Sequence, residues 1–360
     1  MSSCCEKPVI EESTTASCCG GSADDGQSSI DYLLWVSLAL TSIFYAIHLL
    51  WPMQGPESLQ HIAHTVFELI NTMWWSVVLA AVFVGLLSQI PQNFVSAILG
   101  QGGSIRGLFR ATLAGVFMDL CSHGILMVGM KLYQKGASLG QVMAFLIASP
   151  WNSISLTLIM IALIGLPWTL AFIALSMVIA WITGYLFDRL VASGHLPANP
   201  NQQPANENFE FMKEARARWA ALSIDRPFLN EVYRESLSGS QMVVRWLLFG
   251  VLLAAMIRGF VALDDFQQWF GPGVLGLAAT LLAATIIEVC SEGSTPIAAD
   301  LMTRAKAPGN SFAFLMTGVA TDYTEVMVIK DSMKSWKIAL FLPLLTVPQV
   351  VVVALILNGL

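Results

Sequence analysis

Charge is what this sequence has least of. Asp, Glu, Lys and Arg make up 12% of its 360 residues, about half the share an ordinary globular domain carries. Residues 136 to 187 contain none at all, and residues 32–50, 72–90 and 338–357 are equally free of them. A helix crosses a bilayer with about 20 apolar residues. The first gap therefore holds two crossings and each of the others one. With 56% hydrophobic residues overall, such runs exclude a water-soluble globular fold. Short alternating strands are missing too, which speaks against a membrane β-barrel. The expected fold class is an all-α polytopic membrane protein.

Other absences narrow the function. No G-x-x-x-x-G-K-[ST] occurs, so no phosphate-cradling loop is at hand to couple nucleotide hydrolysis. Any transport would draw on an ion gradient. H-E-x-x-H and C-x-x-C are also missing, which leaves an intramembrane zinc protease or thiol oxidase without its chemistry and makes that alternative remote. The chain is expected not to be an enzyme, to need no cofactor and to have no nucleic-acid partner. The six cysteines form two adjacent pairs, Cys4–Cys5 and Cys18–Cys19, plus lone Cys121 and Cys290. That is no secreted disulfide framework. Residues 1–30 hold one lysine, several acids and no apolar core. They read as a disordered polar tail, not as a signal peptide.

What is present falls into an order. Membrane segments are expected near 32–50, 68–90, 108–133, 139–164, 167–187, 241–262, 273–303, 309–330 and 338–357. A Pro/Asn/Gln stretch at 193–208 marks a linker. In residues 209–222, Phe209, Met212, Trp219 and Leu222 share one helical face while Lys213, Arg216 and Arg218 crowd the other. This predicts an amphipathic surface helix, with a soluble linker helix as the alternative. The strongest signal is an internal repeat. Cys121-Ser122 and Gly124 recur 169 residues later as Cys290-Ser291 and Gly293. In the same register Leu132 meets Leu301, Gly140 meets Gly309, and Ala144-Phe145-Leu146 meets Ala313-Phe314-Leu315. Internal repeats of this kind typify secondary transporters. The expected organisation is a tail at 1–30, an N-terminal transmembrane helix and connection at 31–67, and two homologous halves at 68–190 and 237–360. A cytoplasmic linker, 191–236, joins them.

Basic residues set the orientation. The 188–240 connection carries Arg189, Lys213, Arg216, Arg218, Arg226 and Arg234, whereas 263–272 carries only Asp264 and Asp265. This fits inverted repeats, in which 108–133 and 273–303 are broken or re-entrant helical hairpins and each half crosses three times. The N-terminus then lies in the cytoplasm. Arg304 and Lys306 stand against this arrangement; full crossings would make the repeat parallel.

The chemistry concentrates at DLCSHG (119–124) and its partner EVCSEG (288–293). Asp119 and Glu288 precede the cysteines, and His123 and Glu292 follow. Carboxylic acids in a membrane span cost roughly 2.5–3.5 kcal/mol each unless they face a wet cavity or a partner. Helices broken at the midplane, with free backbone groups aimed at a solute, are the signature of a transport site. Candidate substrate contacts are Cys121, Ser122, His123, Gly124, Cys290, Ser291, Glu292 and Gly293. Asp119, Glu288, Asp322 and Glu325 are candidates for proton coupling. Further helix breaks are expected at Pro150, Asn152, Pro296 and Gly318. A lone cysteine is more often a small buried hydrophobe, and His123 could instead be an interior histidine bonded to Glu68. In the tail, Cys4, Cys5, Cys18 and Cys19 could grip a thiophilic metal or metalloid.

The Cys-Ser-x-Gly breaks, followed by KGASLGQVMAFLIASPWN (135–152) and APGNSFAFLMTGVATD (307–322), resemble the predicted permease family that includes the organoarsenical (ArsP-type) permeases. The likeness covers residues 68–358. It implies a permease of the bacterial cytoplasmic membrane, an exporter of trivalent organoarsenicals, with Cys121 and Cys290 handling substrate and the lipid bilayer as partner. Where relatives often carry Cys-Ser-Cys and then proline, this chain has His123 and no proline in the first repeat; the second keeps Pro296 but has Glu292. A permease for a metal ion or a sulfur compound is the alternative.

Overall fold

In a computed structural model the described residues are 31–50, 56–100, 102–118, 120, 122–148, 154–202, 213, 216, 225–260, 269–287 and 291–359. They are helical, with no strand among them. The helices are α1 (Tyr32–Leu50), α2 (Glu57–Ser88), α3 (Gln92–Leu99), α4 (Ile105–Phe117), α5 (Ser122–Gln134), α6 (Leu139–Ile147) and α7 (Ile154–Ile164). They continue with α8 (Leu166–Ala192), α9 (Arg226–Phe260), α10 (Val274–Ile287), α11 (Ser291–Thr303), α12 (Pro308–Thr321), α13 (Tyr323–Met333) and α14 (Trp336–Asn358). The tail with its four cysteines lies outside the described residues. So does the expected amphipathic helix, except Lys213 and Arg216, which are helical and exposed.

Local chemistry explains the boundaries. Ser104, Ser138, Asp322 and Ser335 each cap a helix start by accepting a backbone N–H, at Gly107, Gln141, Thr324 and Ile338. Such caps satisfy donors that a helix start leaves orphaned. The Gln141 side chain reaches back to the Ser138 N–H to complete a capping box. Among the described residues α1, α2, α8, Pro308–Met333 and α14 are long and apolar enough to cross a bilayer. By contrast α4, α5, α6, α7, α10 and α11 hold 9 to 14 residues each. None of these spans alone.

Two segments differ from expectation. The expected span at 68–90 starts eleven residues earlier, at Glu57, because its polar residues Glu57, Gln60, His61 and His64 mask a helix whose Ile62, Ala63 and Val66 are buried. The span expected from 241 begins at Arg226 and bends by 40° near residue 242.

Burial sorts the helices into an inner and an outer set. Every residue of α6 is buried, as is every residue of α12 from Gly309 to Ala320. Large apolar side chains on α1, α8 and α14, among them Leu50, Leu170 and Leu344, stand exposed. On a protein of this composition that outer face meets lipid.

Helix starts recur at one offset. Those of α9, α10, α11, α12 and α13 fall 169 residues after those of α2, α4, α5, α6 and α7. Hydrogen bonds recur with them. Gln141 Nε2 donates to the carbonyls of Leu99 and Gly100, both at 3.2 Å, and Asn310 Nδ2 donates to those of Phe270 (3.1 Å) and Gly271 (2.9 Å). The Gly140 N–H donates to Asp188 Oδ1 (3.0 Å), and the Gly309 N–H to Asn358 Oδ1 (2.7 Å). A Cβ at Gly140 would strike the Gly184 carbonyl oxygen, and one at Gly309 the Ala354 carbonyl oxygen. Only glycine lets these helices approach so closely.

Contacts also give direction. Gly85 packs on Val232 and Ser236, and Val84 on Gly239. Earlier residues of α2, from Ile62 to Met73, cluster with Leu247, Val251, Leu252 and Ala255. Helices α2 and α9 therefore run antiparallel, brought together by small residues. Lys135 Nζ donates to the carbonyls of Ser88 (2.6 Å) and Ile90 (2.7 Å), and the Gly103 N–H to Asp188 Oδ2 (3.1 Å). The start of α4, the ends of α2, α5 and α8, and the start of α6 thus share one rim, where the 191–236 linker begins. At the other rim Asn358 Nδ2 donates to Pro272 O (3.1 Å) and to Asn310 Oδ1 (2.8 Å).

Candidate functional site

The site forms where helices stop inside the bundle. Helix α4 ends at Met118, whose backbone turns extended (φ −88°, ψ 109°), and α5 begins at Ser122. Helix α12 ends where the Asp322 N–H bonds to the Gly318 carbonyl at 2.8 Å; Asp322 then turns extended (φ −54°, ψ 133°) and α13 begins. Breaks like these leave backbone groups without an intrahelical partner, so polar side chains gather there.

Asp322 serves both sides of its break. Its Oδ1 accepts the Thr324 N–H at 3.2 Å, capping α13. Its Oδ2 lies 3.6 Å from Nε2 of His123, in the first turn of α5. The His123 side chain is 1% exposed and that of Asp322 10%. At 3.6 Å this is an ion pair when the imidazole is protonated, and too long for a hydrogen bond. His123 Nδ1 lies 3.5 Å from Ser122 Oγ, while Nε2 has no hydrogen-bonding partner among the described protein atoms. The buried hydroxyls of Ser294 in α11, Thr317 in α12 and Thr324 in α13 are likewise unpartnered. A buried polar group without a partner costs about 1–3 kcal/mol, so several at the helix breaks are suited to a polar solute or to water. Glu325, in the first turn of α13, is also buried, where the helix dipole favours its charge. Thr285 and Thr321 hydroxyls, 2.9 Å apart, tie α10 to the end of α12.

The structure thus brings together two residues the sequence offered separately, one from each half of the chain. Glu68 is not the partner of His123: it sits exposed on α2, and the facing carboxylate comes from α13's cap. Helix α11 runs through Pro296, and α12 through Gly318. Neither ends a helix; the interruption after α12 falls four residues beyond Gly318, at Asp322. Ser291, Glu292 and Gly293 form the first turn of α11, and Gly124 lies buried in α5. Asp119, Cys121, Pro150, Asn152, Glu288 and Cys290 lie outside the described residues. Among the described residues no cluster of three or more His, Cys, Asp or Glu side chains could hold a metal ion.

Sequence reasoning missed the braces. Gln141 and Asn310 are carboxamides at the repeat offset, so the register that matched Gly140 with Gly309 would have found them one position on. It also missed a charged knot outside the site. Asp331 Oδ2 on α13 accepts from Arg245 Nη2 (2.8 Å) and Trp246 Nε1 (3.0 Å) on α9. Lys131 on α5 pairs with Glu235 on α9 at 2.9 Å.

A family model described as a predicted permease, ArsP_1, matches residues 58–359. Comparison with curated proteins and with solved structures found no match.

Proposed function

Because the chain belongs to the predicted permease family of the ArsP type, we propose that it is a secondary transporter of the bacterial cytoplasmic membrane that exports a soft, thiol-reactive solute, such as a trivalent organoarsenical, on the energy of a proton gradient. The observation that carries this reading is the His123–Asp322 contact. It joins an interrupted helix of one half to an interrupted helix of the other, deep in the bundle.

Supporting it, the constant 169-residue offset of helix starts and the antiparallel course of α2 and α9 fit two related halves of opposite orientation. In such folds the solute site lies between the halves, and rocking of one half against the other gives alternating access. The breaks before α5 and α11 fit re-entrant hairpins. In this reading Cys121 and Cys290 bind the solute through sulfur, as softness favours. Ser122, His123, Gly124, Ser291, Glu292 and Gly293 line its path, and Asp119, Glu288, Asp322 and Glu325 carry protons. The rim from which the Lys- and Arg-bearing 188–240 connection leaves faces the cytoplasm, together with the N-terminal tail. There Cys4, Cys5, Cys18 and Cys19 would capture the metalloid before transport.

The test is uptake into everted membrane vesicles of methylarsenite, zinc(II), copper(I) and thiosulfate, with and without a proton gradient. Methylarsenite should accumulate only with the gradient, and Cys121→Ser with Cys290→Ser should reduce its uptake at least tenfold. Accumulation of another member of the panel instead would transfer the mechanism to that solute. Uptake of every member at the level of vesicles lacking the protein would sink the proposal.

A further inference from the structure

Away from the break residues, an open cavity of about 390 Å³ lies on the outer surface, lined by Ile105, Arg106, Phe109 and Arg110 of α4 and Trp181 of α8. Its apolar walls are exposed, Ile105 by 60%, Phe109 by 54% and Trp181 by 38%, on a face that meets lipid. Two arginines one helical turn apart open onto it. Arg110 Nη1 donates to the Ile98 carbonyl at 3.3 Å. Among the described residues neither arginine has an ion-paired carboxylate.

Three features make this pair of charges unusual. Arginines near a helix start oppose the positive end of the helix dipole, which favours anions, and α4 has no acidic residue in its first turn. The cavity lies at the rim where α4 starts and α8 ends, the rim from which the 188–240 connection with its six Lys and Arg residues leaves. Residues 169 positions further on, Leu275 and Ala279, are uncharged, so the corresponding helix α10 forms without such a pair. The arginines are therefore an addition to the fold and not a requirement of it.

We propose that this cavity binds an anionic phospholipid of the cytoplasmic leaflet. Its phosphate sits between Arg106 and Arg110, and its acyl chains lie along Ile105, Phe109 and Trp181. Anionic lipids concentrate in that leaflet and attract basic side chains near the surface. Trp181 suits a boundary position, being apolar with one polar edge.

The experiment uses the full chain, purified and delipidated in a zwitterionic detergent. Thermal melting is followed while phosphatidylglycerol, phosphatidylcholine or inorganic phosphate is added. Phosphatidylglycerol should raise the melting temperature of the wild type. Its half-saturating concentration should rise about twenty-five-fold in Arg106→Gln/Arg110→Gln, roughly fivefold for each cation near an anionic surface. Arg106→Lys/Arg110→Lys, which keeps both charges, should retain most of the response, and it decides the matter if the glutamine variant folds poorly. Arg304→Gln, at the opposite rim, should behave as wild type. An equal shift with phosphatidylcholine, an unchanged response in the glutamine variant, or a full response to inorganic phosphate alone would each overturn the proposal.

Discussion

Asp322→Asn separates the charge of the site from its architecture. The carboxylate has two tasks: one oxygen caps α13 through the Thr324 N–H, and the other faces His123 at 3.6 Å. Asparagine is as good an N-cap as aspartate, whereas alanine loses about 1 kcal/mol of cap energy. The asparagine variant should therefore keep the start of α13 and melt within a few degrees of wild type. The lost charge is a larger matter. Two unit charges 3.6 Å apart interact by about 4–5 kcal/mol at an effective dielectric of about 20, an upper figure for the protonated pair. The substitution strands a charge only where the imidazole is protonated, so the cost falls on that state and not on the fold with a neutral His123. A state of the cycle that relies on the pair would thus fall in population by two orders of magnitude or more. In everted vesicles, gradient-driven accumulation of the solute should be lost, while exchange of labelled for unlabelled solute without a gradient persists. Asp322→Ala should lose stability as well as accumulation. If Asp322→Asn accumulates solute against a gradient at the wild-type rate, the pair has no part in coupling.

The two glycine approaches give a second expectation: Gly140→Ala and Gly309→Ala should each destabilise by about 2–4 kcal/mol, the sum of a backbone clash and a lost hydrogen bond, readable as a lower melting temperature in detergent. Gln141→Leu and Asn310→Leu each leave two carbonyls without their donor and should cost about 1–3 kcal/mol; equal melting of wild type and variant would count against the braces. Lys131→Gln should change stability by less than about 1 kcal/mol, since Glu235 is 40% exposed and such pairs are weak. For the antiparallel course of α2 and α9, Gly85→Cys with Ser236→Cys in a cysteine-free background should cross-link under mild oxidation, and Ile62→Cys with Ser236→Cys should not; the reverse pattern would mean the helices run parallel.

Much of the fold could be read from uncharged runs, because each apolar stretch of span length has few other fates. The 169-residue offset of helix starts was foreshadowed, because Cys-Ser-x-Gly and Ala-Phe-Leu recur in that register. Positions of helix ends were harder. Pro296 and Gly318 look like breakers by intrinsic preference, yet α12 is buried along its length and packing holds it helical through Gly318. Helix α14 likewise passes through Pro343 and Pro348, as spans do when neighbours take up the freed backbone groups. His123 and Asp322 were both legible as costly groups in a membrane segment. That they face each other was not, because nearly two hundred residues separate them and only the packing of α5 against α13 brings them together.

The shared rim of α4 and α5 has a mechanical consequence. Both helices are tied down at this rim, one through the carbonyls of Leu99 and Gly100 held by Gln141, the other through Lys135 on the end of α2. Each helix has 13 residues, about 20 Å at helical rise. A rod fixed at one end moves most at the other, and the far end of α5 is where Ser122 and His123 lie. A tilt of a few degrees at the rim displaces them by an ångström or more, comparable with the difference between touching Asp322 and losing it.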